Sequence, residues 1–93
     1  MKRKLRSTPR FEREARRLAK RNARASEAVR ATLAEMAADA FSPALGAHKL
    51  HGDLAGLWAC SAGYDLRIVF QLASDTGAET IVLHGVGSHD DVY

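Results

Sequence analysis

DLRIVFQLA, residues Asp65–Ala73, is the most apolar run of the chain, and its reading decides the fold. Leu66, Ile68, Phe70 and Leu72 alternate with Arg67, Val69 and Gln71, the period of two by which a strand turns successive side chains to opposite faces. One face asks for a covering layer; the other carries an arginine. An unpaired guanidinium is costly to bury, so Arg67 is expected to line an open concavity.

Working outward, LWACSA (Leu57–Ala62) and ETIVLHGV (Glu79–Val86) are also short and rich in apolar and β-branched residues. Turn signals at Gly63 and at Ser74–Gly77 separate the three runs, which predicts sequential antiparallel strands. His84 has the parity of Val82 and Val86 and is expected to be a strand histidine satisfied by hydrogen bonds. Before the strands, Pro43–Gly56 reads as a loop punctuated by Gly46, Gly52 and Gly56, with His48, Lys49 and His51 interspersed.

Earlier still the period changes to that of helices. Thr8–Pro9 reads as an N-cap followed by proline at the first helical position, where its missing N–H costs nothing. Phe11, Ala15, Leu18 and Ala19 then form one apolar stripe, while Arg10, Arg13, Arg17, Lys20 and Arg21 point elsewhere. After a break at Asn22, the stripe Val29, Leu33, Met36, Ala37 and Ala40 marks a second helix ending before Ser42 and Pro43. Lys2–Ser7 alternates weakly, as a short opening strand or a basic arm. A length of 93 residues suits a single domain, residues 1–93, of the α+β class, with the helical hairpin packed on one sheet face.

Charge is unevenly spread. Residues 1–30 carry twelve Lys or Arg against three Glu, or +9, and residues 31–93 carry two against eight acidic residues, or −6, which together give the net +3. The basic end is a candidate polyanion surface, suited to a nucleic-acid backbone or an acidic protein segment; the alternative is that these charges form the solvated face of a helix. Cys60 is the single cysteine, so neither an internal disulfide nor a multi-cysteine zinc site is expected. Four histidines and scattered carboxylates lack the fixed spacing of a zinc motif, and no metal or other cofactor is expected. No apolar stretch follows MKRKLR and none has membrane-spanning length, so a cytoplasmic protein without membrane association is expected.

The run SAGYDLRIVFQL, Ser61–Leu72, followed by VGSHDDVY at residues 86–93, resembles the RelE and YafQ toxins of bacterial type II toxin-antitoxin systems. HKLHGDLAG, His48–Gly56, looks like the loop that precedes the sheet in that family. The resemblance implies a helical hairpin on one face of a small, mostly antiparallel four-stranded sheet, with mRNA against the other face. It implies a ribosome-dependent mRNA endoribonuclease and a cognate antitoxin forming a hetero-oligomer with the chain. Carried over by position, the catalytic set is His48, Asp65, Arg67, His89 and Tyr93. In two places the chain departs from the YafQ-like pattern, with Ser61 where those members carry histidine and Trp58 where they carry arginine.

The implied reaction cuts RNA without a metal, by attack of a 2′-OH on the adjacent phosphate. It needs a base, an acid and a cation on the phosphate. Histidine titrates near ~6.5 and suits either proton role, aspartate can act as base or orient a histidine, and arginine presents a fork of donors to phosphate oxygens. Arg67 is the expected phosphate clamp, with His89 and Asp65 moving protons and His48 or Tyr93 assisting. Trp58 and Tyr64 are candidates to stack on exposed bases, with core packing the alternative for both and the stronger reading for Trp58, and Lys49, Arg13, Arg17 and Arg21 are candidates to meet RNA phosphates. Two rival readings share the fold: a ParE-like inhibitor of DNA gyrase, and a non-catalytic RNA- or protein-binding member, which Ser61 motivates.

Overall fold

The computed structural model of the chain describes residues 3–63, 65–75 and 78–88. Strand β1 (Lys4–Ser7) leads into helix α1 (Pro9–Arg21) and helix α2 (Ala23–Ala38), and strands β2 (His48–Lys49), β3 (Trp58–Ala62), β4 (Leu66–Asp75) and β5 (Ala78–Ser88) follow. The sheet runs in the order β1-β5-β4-β3-β2. No helix among the described residues is long and apolar enough to cross a membrane.

The helices begin and end where local chemistry dictates. Thr8 caps α1 by accepting from the Phe11 N–H, and its hydroxyl also donates to the Leu83 carbonyl at 2.8 Å, so one side chain starts the helix and ties it to β5. Asn22 closes α1 and caps α2 by accepting from the Ala25 N–H, which turns the chain back with one intervening residue. α2 stops at Ala38, earlier than the apolar stripe suggested. Asp39 takes up extended backbone, its N–H bonding the Glu35 carbonyl, and Ala40 is buried from beyond the helix end.

Phe11, Leu18, Val29 and Met36 from the helices pack on Cys60, Ala62, Ile68, Phe70, Ile81, Leu83 and Val86 of the sheet, all in one core. Leu66 and Leu72 pack against its margin, so the expected inward face of β4 is confirmed in full. Phe70 is fully buried. Thr32 is buried too, its hydroxyl satisfied by the Ala28 carbonyl one helical turn back.

The sheet differs from the four-stranded expectation in two ways. β1 joins it in parallel, pairing Lys4 with Thr80 through Ser7 with Leu83, and so makes the sheet mixed. β2, inside the stretch read as a loop, adds a fifth strand of two residues, with His48 against Ala59 and Lys49 against Trp58. Gly46, at φ 61, turns the chain into it by a left-handed conformation open to glycine.

A β-bulge between β4 and β5 corrects the parity reading of His84. Val69 faces Gly85 while Phe70 faces Leu83, so His84 is the extra residue. Before the bulge Val82 faces Gln71, away from the core; beyond it Val86 faces Ile68, within the core. His84 is nonetheless satisfied as expected, its Nε2 lying 3.1 Å from Gln71 Oε1.

Because Thr8 serves both the helix start and β5, Thr8→Ala is expected to lower unfolding free energy by about 1–2 kcal/mol in urea denaturation, with most of the loss restored in Thr8→Ser.

Candidate active site

Strand register fixes what shares the face opposite the helices. Ser61, Arg67 and Gly87 form one row across β3, β4 and β5, and His48, Ala59, Val69 and Gly85 form the next, from β2 to β5. Ala59 and Val69 are buried but lie outside the helix-side core, so they floor this second face. Arg67 is half-buried above that floor, as the alternation of β4 required. Its Nη1 donates to the Leu66 carbonyl at 2.9 Å, which steadies the guanidinium while engaging one of its five N–H donors.

His48 stands on this face at the β2 edge, exposed, with Nδ1 3.0 Å from the Gly46 carbonyl. Ordinary strand spacings separate its Cα from that of Arg67 by roughly 12 Å. Asp65 is exposed in the turn that opens β4, with the parity of Arg67. Tyr64, His89 and Tyr93 lie outside the described residues.

At the end of the sheet two adjoining cavities form a groove along the α1–α2 junction. One is lined by Glu14, Arg17, Leu18, Arg21, Val86 and Gly87. The other shares Leu18 and Arg21 and reaches Arg24, Asp65 and Ser88. Arg17 and Arg21 therefore converge on the strand ends next to the Arg67 row. Arg13 is exposed on α1 and lines neither cavity. Arg24 and Glu14 were not among the expected residues; Arg24 belongs to α2 and reaches the groove across the Asn22 turn.

Of the two readings of Trp58, the structure shows core packing. It pairs with Phe70, stacks on that ring at 6.5 Å between centroids, and meets Phe41 edge-on at 5.2 Å, all on the helix side. Lys49 Nζ lies 5.6 Å from the centroid of the Trp58 ring. Both residues are thus turned from the Arg67 face, because counting three pairs along β3 from Ser61 reverses the side.

Beneath Arg67, on the core side, burial pushes the Cys60 thiol up from 9.0 to about 12, opposed by the positive charge of Arg67 and reinforced by the negative charge of Glu35. The thiol is wholly buried and contacts Met36 Sδ at 3.6 Å.

Two helices packed on one face of a mixed five-stranded sheet define a small α+β fold. The family model for the bacterial toxin of type II toxin-antitoxin systems, YafQ, matches residues 3–93, and the chain belongs to that family. No curated protein matches the chain in sequence. Among solved structures, a YafQ mutant from E. coli superposes with a TM-score of 0.80 at 11% identity, covering 98% of each chain. A YoeB/ParE toxin from Agrobacterium tumefaciens gives 0.77 at 19% identity, over 92% of this chain and 98% of that one. The E. coli DinJ–YafQ toxin-antitoxin complex gives 0.72 at 12% identity, over 100% and 99%. At such identities these likenesses establish the fold.

Raised from 9.0 to about 12, the folded Cys60 thiol contributes stability that is complete below about pH 9 and is lost as the pH rises toward 12. Thermal melts from pH 8 to 11 are expected to fall more steeply for the wild type than for Cys60→Ala. Alkylation by iodoacetamide at pH 8 is expected only after denaturation.

Proposed function

We propose that this toxin is an mRNA endoribonuclease acting on the ribosome, with Arg67 as its phosphate clamp. The observation that carries this reading is the half-buried Arg67 on the face opposite the helices, in a row with Gly87, which also lines the cavity of Arg17 and Arg21. In the reaction, the 2′-oxygen bonds to phosphorus as the P–O5′ bond breaks, leaving a 2′,3′-cyclic phosphate and a 5′-hydroxyl. A base takes the 2′-OH proton, an acid gives one to the departing O5′, and a guanidinium stabilises the added charge on the phosphate oxygens. His89 and Asp65 are the proton carriers in this proposal, with His48 or Tyr93 assisting. Ser61, directly opposite Arg67, adds a hydroxyl but no titratable group at neutral pH.

An antitoxin partner belongs to the same proposal, supported by the family and by the toxin-antitoxin complex that YafQ forms with DinJ. Segments of net negative charge suit the basic groove, so the antitoxin and RNA would compete for it.

Purified protein added to a translation extract is expected to cut ribosome-associated mRNA, and Arg67→Ala to reduce cutting by about 100-fold or more, the loss typical of removing one preorganised donor to a developing anion. Intact mRNA with continuing translation would overturn the nuclease reading, and inhibition of DNA supercoiling would redirect it to gyrase.

Arg17→Glu combined with Arg21→Glu is expected to weaken ribosome binding and to flatten its salt dependence by roughly 1.5 units of log K per log salt, as two phosphate contacts would. Arg13→Glu, off the groove, is expected to change both far less. Equal effects from the two variants would assign the charge dependence to the helix as a whole.

A further inference from the structure

β5 loses its neighbour partway along. β1 pairs with it only as far as Leu83, where the chain turns at Thr8 into α1. Beyond Leu83 the edge of β5 would present an unpaired backbone donor. Glu14, on α1, takes that place: its Oε1 accepts from the Val86 N–H at 3.1 Å, as a strand carbonyl would. Arg10 steadies the carboxylate from one helical turn away, with Nε 3.5 Å from Glu14 Oε2. Residue 85 matches this arrangement, because a Cβ there would come within 3.0 Å of Glu14 Oε1, and Gly85 has none.

The segment so held is the one that completes the site. Gly87 lies opposite Arg67, and Ser88 lines the groove with Asp65 and Arg21. We infer that Glu14 is a positioning residue, a side-chain substitute for the missing strand that fixes the end of β5 against Arg67. Its catalytic consequence rests on the nuclease reading; the anchoring itself does not.

Two effects of removing Glu14 have opposite signs and can be separated. Glu14 lies in a groove with Arg17 and Arg21, so a purely electrostatic role predicts that deleting its charge tightens RNA binding and raises turnover. An anchoring role predicts lower kcat with KM unchanged or reduced. The conservative change Glu14→Gln retains a carbonyl acceptor for Val86 and should rescue anchoring.

The experiment measures amide hydrogen exchange and steady-state cleavage in wild type, Glu14→Ala, Glu14→Gln, Gly85→Ala and the Gly85→Ala/Glu14→Ala double variant. Glu14→Ala is expected to lose protection at the Val86 amide by about tenfold, the equivalent of one modest hydrogen bond, and to lower kcat by a similar factor. Glu14→Gln should retain most of both. Gly85→Ala should lose protection by displacing the carboxylate, yet add little in the Glu14→Ala background. Unchanged Val86 protection in Glu14→Ala would overturn the inference, as would lost protection with undiminished kcat. Lost protection in a protein whose wild type cuts no RNA would uphold the anchor while removing the nuclease reading.

Discussion

All helix packing falls on a single face of the sheet, and this one-sided burial is the constraint on which the rest depends. Phe70, Ile68, Ile81 and Leu83 are satisfied by α1 and α2, so the opposite face needs no apolar partner. A guanidinium near the start of the most apolar strand is tolerable only there, where it keeps access to water. Small residues complete the arrangement. Ala59 and Val69 make a shallow floor, and Gly85 and Gly87 add no side chains above β5, so Arg67 is the bulky feature of its row.

How much of this could be read beforehand follows from how local each cause is. Thr8–Pro9 and Asn22 act on their own helices, and the alternation of β4 is uninterrupted, so the caps, the break and the two faces of β4 were legible. The bulge was not. Val82, His84 and Val86 look like strict alternation, and only the pairing of Val69 with Gly85 and of Phe70 with Leu83 reveals an added residue. β1 was barely visible because its four residues are exposed and its partner lies more than seventy positions away. β2 is two polar residues whose pairing depends on β3.

The site was legible in proportion to its dependence on β4. Arg67 could be placed from parity alone. Trp58 could not, because its side depends on the register that sets Ser61 against Arg67, and that register carries Trp58 to Phe70 and the core. Arg24 was hidden by the helix break: it belongs to α2 and reaches the groove across the Asn22 turn. Glu14 gave no signal, since a carboxylate four residues from an arginine on a helix ordinarily reads as an exposed i,i+4 pair.

The charge asymmetry of the chain acquires a spatial meaning from the same geometry. Arg67 belongs to the acidic stretch, residues 31–93, where Lys49 is the only other Lys or Arg, and Lys49 lies over Trp58 on the other face. Arg17, Arg21 and Arg24 belong to the basic stretch and reach the strand ends through the α1–α2 turn. The two contributions meet at Gly87, which lies opposite Arg67 and also lines the cavity of Arg17 and Arg21. Glu14 and Thr8 are the bonds that join them most directly, since each reaches from α1 or its cap to β5. A carboxylate in a cavity lined by Arg17 and Arg21 opposes the positive charge there, so its placement is best explained by the backbone donor it satisfies.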